Sequence, residues 1–421
     1  GVETDYDGAG LSNWIIDQFQ EGILYYNYRG IYGDTGTSPS NQYNNGYATP
    51  FATVITCGTG DFDEGNAQSE AFVKLGSVNN PEGAVAAVGM ATTGTHTAYN
   101  NIIDMGIYEG IFSKKLWYAG AAEANGDLAI LATYPSNPSG VTEAFIAWSN
   151  LIGDPALHLW TAVPKNFAID HIDVIDLGTT TTDIIVYDED GNSVPGARVT
   201  LLMGDDVIFT TGLTDENGQI NLSWDAVEAG SMNITVIKQN HRPYEGSIEI
   251  SSATGSAVAM NSNILEAISG EEKDFEISLK NYGNITAQDI TAELSSPSEH
   301  ISFYNNNISY DNIMPGESVS RIFPVYIHGT AFHMEDLDVK LTINDGSGNT
   351  WINSVPVDVL GPYIMISDYS GEIFPGSSTD LLLNLDNQGS RVVSNYSLEL
   401  IPYDNLVSIL SATSNISELS V

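Results

Sequence analysis

An α/β domain built on a parallel sheet, followed by a string of all-β sandwiches, is the fold the sequence predicts. Three observations carry the prediction. Residues 1–165 hold short, fully apolar runs separated by helical patterns, the signature of parallel strands covered on both faces. Past Pro164 the strands alternate apolar and polar and are broken by turns such as Asp188-Glu189-Asp190-Gly191-Asn192 and Asp215-Glu216-Asn217-Gly218, as in half-buried antiparallel sheets. One block then returns: residues 275–284 are echoed by residues 381–390, and Asn387 stands 106 residues after Asn281 (387 − 281). That period is one sandwich per repeat.

In order along the chain, a helical pattern over 11–21 leads into a first strand, Gly22-Ile23-Leu24-Tyr25-Tyr26-Asn27-Tyr28. A loop rich in Gly, Ser and Asn over 30–46 precedes a second buried strand, Phe51-Ala52-Thr53-Val54-Ile55-Thr56. A helix is expected over 69–75 and a third strand over 84–90, apolar throughout. A helix over 98–112 closes the unit. Only three strands are predicted before Pro164, so the sheet is expected to be incomplete, with its remaining strands upstream of Gly1. The chain starts Gly1-Val2-Glu3, without Met or a signal peptide, and reads as a processed product or a fragment. Four segments are expected: 1–165, 166–252 as one seven-strand sandwich, 253–361 as a second, and 362–421 as a truncated copy of the second.

Composition limits the function. Of 421 residues, 54 are acidic and 13 basic, giving a formal net charge of −41. Nucleic acid and anionic membrane surfaces are poor partners for such a field. The same acidity resembles that of secreted proteins from salty water, where a carboxylate surface stays hydrated. No run of 18 apolar residues occurs, so no membrane-spanning helix is expected. A single cysteine, Cys57, excludes a disulfide within the chain.

A lone cysteine is either an inert core residue or a reactive thiol. Cys57 directly follows a buried strand, in Thr56-Cys57-Gly58-Thr59-Gly60-Asp61-Phe62. Reactive groups in parallel sheets collect at the carboxyl ends of the strands. The small neighbours admit a substrate backbone and expose amides that can hold an oxyanion. His96 ends Thr92-Thr93-Gly94-Thr95-His96, after the third strand. It is read either as a base at the same sheet edge or as a loop histidine bonded to nearby hydroxyls. Asp34, Asp61, Asp63 and Glu64 sit in nearby loops. They are read as solvated carboxylates first, and otherwise as groups that select a basic side chain or bind calcium. The remaining histidines are scattered, and no His/Cys cluster has zinc spacing.

Residues 10–165 resemble the gingipain family of cysteine endopeptidases. The likeness lies in Asn27-Tyr28-Arg29-Gly30, in the block around Cys57, in the strand and loop 83–96, and in the close Asn150-Leu151-Ile152-Gly153-Asp154-Pro155-Ala156-Leu157-His158-Leu159-Trp160. The resemblance implies the C-terminal half of a caspase-like domain with Cys57 as nucleophile, followed by immunoglobulin-like modules. It also implies a secreted or surface-exposed bacterial protein acting on proteins or peptides, with no cofactor required for chemistry and structural calcium compatible with the family. The oxyanion would be held by the amides of Cys57, Gly30 and Gly33, with Asp61 and Asp34 facing the substrate. One departure stands out. The family carries its histidine in a Gly-His-Gly turn, where this chain has Gly30-Ile31-Tyr32-Gly33, and no histidine precedes His96. Three readings follow: His96 is the base, the base comes from upstream residues, or the domain is a pseudoenzyme used for display or adhesion.

Overall fold

The computed structural model describes residues 11–30, 36–37, 43–63, 67–261, 264–372, 374–402 and 406–421. These form two compact units, residues 1–166 with 238–242, and residues 167–237 with 243–421.

The first unit is built on one four-stranded sheet. We label its elements α1 (Leu11–Glu21), β1 (Tyr25–Asn27), β2 (Phe51–Val54), α2 (Gln68–Val73), β3 (Ala86–Met90), α3 (Thr97–Phe112), α4 (Ala119–Thr133), α5 (Val141–Trp148) and β4 (Ser149–Ile152). The sheet order is β1-β2-β3-β4. The first three strands run parallel, with Tyr26 opposite Ala52 and Ala52 opposite Ala87. β4 pairs antiparallel with β3, Val88 facing Leu151. The three parallel strands lie in the sheet in their order along the chain. The fourth strand comes from the segment that closes the family resemblance.

Both faces of the sheet are covered, which is why its strands show no alternation of apolar and polar residues. Along β2, Phe51 and Ile55 face one core with Ile103, Ile107, Ile111, Ala122 and Phe145 from α3, α4 and α5. Ala52 and Val54 face the other core with Ile15, Phe19 and Phe72 from α1 and α2. Successive strand residues point to opposite sides, so an unbroken apolar run serves two helical layers. Helices α4 and α5 fall where the sequence predicts no regular structure. α4 reads Ala-Gly-Ala-Ala-Glu-Ala-Asn-Gly at its start, with little apolar stripe to mark it. It forms because it lies close against α3: a Cβ added to Gly106 would stand 2.7 Å from the Ala129 Cβ and 2.9 Å from the Gly126 Cα.

Among the described residues the second unit is entirely β. In its first part a five-stranded sheet, ordered Ile208–Leu213, Arg198–Met203, Gly230–Ile237, Tyr244–Ser251, Val174–Asp176, shares a core with the three strands Gln219–Ser223, Thr181–Asp188 and Phe167–Asp170. In its second part, Val258–Met260, Glu272–Asn281, Ser318–Ile327 and Ile301–Phe303 form one sheet. Asn307–Tyr310, Ile290–Ser295, Lys340–Asn344 and Thr350–Ser354 form another. These two close over a core containing Phe275, Ile277, Phe323, Leu341 and Trp351. The acidic turns are hairpin turns: Asp188 Oδ1 accepts from the amides of Asp190 and Asn192, and Asp215 Oδ1 from those of Asn217 and Gln219.

Two strand pairs recur at an interval of 106 residues (387 − 281). Val258 pairs with Asn281, and Ile364 pairs with Asn387 in the same antiparallel sense. Ile290 pairs with Tyr310, and Tyr396 with Ile416, strands displaced by the same interval.

Candidate active site

β1, β2 and β3 end at one edge of the sheet, and there the chain places Asn27 and Arg29, Cys57, and the loop 91–96. The loop after β2 is held tightly. Gly58 adopts φ +73°, a conformation that favours glycine, and its N–H donates to the Thr92 carbonyl at 2.8 Å. A Cβ on Gly60 would stand 2.5 Å from the backbone of Gly89, so the two glycines let the loop lie flat on β3. Thr59 Oγ1 donates to the Thr56 carbonyl at 2.9 Å, and Asn150 Nδ2 donates to the Gly60 carbonyl at 3.1 Å. Cys57 is therefore presented on a fixed turn, half-buried. Its N–H has no partner among the described residues.

Thr95 is the sulfur's hydrogen-bond partner. Its hydroxyl donates to Sγ at 2.9 Å, and its carbonyl oxygen lies 3.7 Å from Sγ as an acceptor for the thiol proton. Asn100 Nδ2 donates to the same Thr95 hydroxyl at 3.0 Å. His96 follows Thr95 directly, but its imidazole is turned to its own helix. It is the N-cap of α3, and Nδ1 accepts from the Ala98 N–H at 3.2 Å. The ring is solvent-exposed and stands 6.0 Å from the Tyr99 ring. The structure thus brings His96 to the edge that carries Cys57 and spends one of its two nitrogens on a cap.

A buried acid lies beneath Asn27. Asp104, on α3, is 6% exposed; its Oδ2 accepts from Asn27 Nδ2 at 3.0 Å, and its Oδ1 has no partner among the described residues. Burial pushes the Asp104 carboxyl above the usual carboxylate range, against the pull of Asn27, Arg29 and Thr53. Arg29 donates from Nε and Nη2 to Asn101 Oδ1 at 3.0 and 2.7 Å. Burial lowers its pKa, against the attraction of Asp104 and of Cys57. A guanidinium cannot act as a base at neutral pH.

The other candidate residues are placed as follows. Gly30 is exposed at the end of the β1 segment, where the Tyr28 hydroxyl occupies the space a side chain would need. Asp61 is half-buried, one residue past Gly60, and Asp63 is exposed. Gly33, Asp34 and Glu64 lie outside the described residues. Among the described residues no three His, Cys, Asp or Glu side chains are grouped to hold a metal, and no helix is long and apolar enough to cross a membrane. His158 sits against the Trp117 and Tyr118 rings, and burial lowers its pKa. Sequence reasoning missed Thr95, Asn100, Asp104 and the role of Arg29. A signal exists for two of them: Asn100 and Asp104 are one helical turn apart on the α3 face that carries Ile103, Ile107 and Ile111. Polar residues on a buried stripe ask for an explanation.

The site is a glycine-flanked, half-buried thiol at the carboxyl end of a central strand, in a sheet covered on both faces. Residues 3–160 match the model of peptidase family C25, the gingipain family. Among solved structures the chain is similar to the Arg-specific cysteine proteinase gingipain R, with 21% identity, 57% of this chain and 56% of that chain covered, and a TM-score of 0.48. A complex of the pro- and mature domains of RgpB from Porphyromonas gingivalis matches at 19% identity, 57% of each chain and a TM-score of 0.45. The native alpha-2-macroglobulin of E. coli matches at 10% identity, 62% of this chain and 19% of that one, with a TM-score of 0.23. The chain thus spans little more than half the length of the gingipain structures it matches. No curated protein sequence matches it.

Proposed function

We propose that the first unit is a cysteine endopeptidase domain that hydrolyses peptide bonds through the Cys57 thiolate, with His96 as its base. The observation that carries this reading is the presentation of Cys57 on a fixed turn at the sheet edge, with an unengaged N–H and with His96 next in sequence to the residue that holds the sulfur. His96 must leave its cap to serve. A helix N-cap contributes about 1 kcal/mol, small beside the binding energy of a peptide substrate. The nucleophile attacks the scissile carbonyl, the imidazole carries the thiol proton to the leaving amine, and water then releases the acyl group from sulfur. Supporting oxyanion donors are the amides of Cys57 and Gly30, with Gly33 proposed as a third, and Asp61 and Asp34 as substrate-facing carboxylates. Thiolate chemistry of this kind needs no cofactor.

The rest of the reading extends to the whole protein. β1 is an edge strand among the described residues, which supports a further strand from an upstream half of the same protein. The two-sheet modules of the second unit support an immunoglobulin-like stalk that displays the head outside a bacterial cell. The acidic charge favours protein or peptide partners over nucleic acid.

The pseudoenzyme reading is favoured by a specific observation, the His96 Nδ1 bond to the α3 amide. Cleavage of an unstructured peptide library separates the two. In the active reading Cys57→Ala abolishes cleavage. His96→Asn keeps a helix-capping side chain but removes the base, and the rate falls by about 10²- to 10⁴-fold. Equal null activity in wild type and Cys57→Ala, with the natural upstream residues restored, establishes a display or adhesion head instead.

A further inference from the structure

We propose that Thr95 and Asn100 form a hydrogen-bond relay that stabilises the Cys57 sulfur as an anion, with Thr95 as the donor to sulfur and Asn100 as the positioning residue behind it. The inference rests on the reading that Cys57 is the nucleophile, and it concerns what prepares the thiolate rather than what removes the proton.

The polarity of the chain of bonds carries the argument. Asn100 Nδ2 is a donor, so the Thr95 hydroxyl receives that bond as an acceptor. Its single proton is then free for the sulfur, 2.9 Å away. A hydroxyl whose lone pair is already engaged is a better donor, because successive bonds polarise one another. Thr95 also serves the protonated state, since its carbonyl lies where the S–H can point, at 3.7 Å. One residue therefore meets both forms of the group, and the anionic form receives the stronger contact. Asn100 is 2% exposed and fixed at its backbone, its N–H donating to the His96 carbonyl at 3.1 Å. Its side-chain Oδ1 has no partner among the described residues. Burying a primary amide with one end unsatisfied is costly, and the end that is satisfied is the one aimed at the hydroxyl beside Cys57.

The test is the pH profile of iodoacetamide alkylation of the full chain, run from acid to alkaline pH on wild type, Thr95→Val, Thr95→Ser, Asn100→Ala and the Thr95→Val/Asn100→Ala double variant. Thermal melts check that each is folded. Thr95→Val keeps the shape and the carbonyl and removes the donor. It is expected to slow alkylation about tenfold near pH 6, the equivalent of one hydrogen bond to a charged group. It should leave the alkaline limit unchanged, where every thiol is ionised. Thr95→Ser is expected to restore the wild-type profile. Asn100→Ala should slow the reaction severalfold on its own and have no further effect in the Thr95→Val background. A wild-type profile for Thr95→Val overturns the relay, as does an Asn100→Ala effect of equal size in both backgrounds. The two readings fail separately. If the profile shifts as described while no peptide is cleaved, the relay stands and the hydrolytic function falls. If peptides are cleaved and the profile does not shift, the relay falls and the peptidase remains.

Discussion

At the scale of single residues, the first unit keeps an acid whose environment suits it better protonated. Asp127, on α4, has its Oδ1 buried without a partner among the described residues. Burial, and secondly the charge of Glu123 one turn earlier, pushes its carboxyl up to about 8. Its folded value therefore lies above its unfolded one, and the folded state binds the proton more tightly. By linkage the contribution is fully present below the ordinary carboxylate range and is lost as pH rises through about 8. The thermal midpoint of the first unit should accordingly fall between about pH 5 and pH 9. Asp127→Asn should flatten that slope and raise the midpoint at the alkaline end, which a melt series across pH would show. A slope unchanged by the substitution would place its origin in other groups. The same scale marks where the sequence was informative about the site. Cys57 was visible because it is the chain's single cysteine and follows a buried strand between small residues. Thr95 and Asn100 were not, because their meaning lies in a contact between two loops and a helix that no local pattern announces. His96 was visible as a residue, but its capping bond to Ala98 depends on where α3 begins, and helix ends are poorly marked in sequence.

Elements were legible in proportion to how much their own pattern determined them. The strands β1, β2 and β3 are continuous apolar runs, and a run buried on both faces has few other fates, so their order in the sheet could be read as well. α1 shows its apolar stripe openly, with Ile15 and Phe19 buried. α4 has no such stripe because its contact with α3 is made by glycine and alanine. Closeness replaces side-chain bulk there: Gly106, Gly110 and Gly126 all lie within contact of the opposing helix. That interface predicts its own mutational response. Gly106→Ala raises intrinsic helix propensity by about 1 kcal/mol, but the new Cβ would stand 2.9 Å from the Gly126 backbone, which cannot rotate away. Overpacking of this kind costs about 1–3 kcal/mol, so net destabilisation of about 1 kcal/mol is expected in denaturant titration. A stabilised Gly106→Ala protein would show that the helices can separate without loss. β4 was overlooked as a strand for a related reason. It is four residues long and antiparallel, and its pairing with β3 is decided by the helices that return the chain to the sheet.

On the scale of the molecule, the two units hold separate apolar cores, and the repeat in the second gives an internal control. Asn281 is fully buried and works as a bracket between strands. Its Oδ1 accepts from the amides of Ala257 and Gly283 at 3.2 and 2.9 Å, and its Nδ2 donates to the carbonyls of Ile285 and Ile313 at 2.8 and 2.9 Å. Asn387 repeats every bond at the displaced positions: Tyr363 and Gly389 at 3.1 Å each, Arg391 at 2.6 Å and Leu419 at 3.4 Å. The glycine after each asparagine is required as well, since a Cβ on Gly283 or Gly389 would collide with the strand at Gly255–Ala257 in one copy and at Gly361–Tyr363 in the other. What differs is the surrounding. Phe275, Ile277 and Leu279 are completely buried, beneath a second sheet that includes Lys340–Asn344. Their counterparts Leu381, Leu383 and Leu385 are exposed or half-buried. Removing the same side chain should therefore have unequal consequences. In Asn281→Ala the buried Ala257 N–H loses its partner and the buried Ile313 carbonyl keeps only its bond from the Ala287 N–H, at about 1–3 kcal/mol for a buried group left unsatisfied, and a loss of about 2–3 kcal/mol is expected. In Asn387→Ala water can reach the Tyr363, Arg391 and Leu419 groups, leaving the Gly389 N–H as the buried one, and a loss near 1 kcal/mol is expected. Urea unfolding followed through Trp351, which lies in the first copy's core, measures the first directly. Alkylation of Cys57, which lies in the other unit, should proceed at the wild-type rate in both variants. Equal losses in the two copies would show that the bracket's strength is set by its own four bonds alone. A changed rate at Cys57 would show that the stability of the second unit reaches the chemistry of the first.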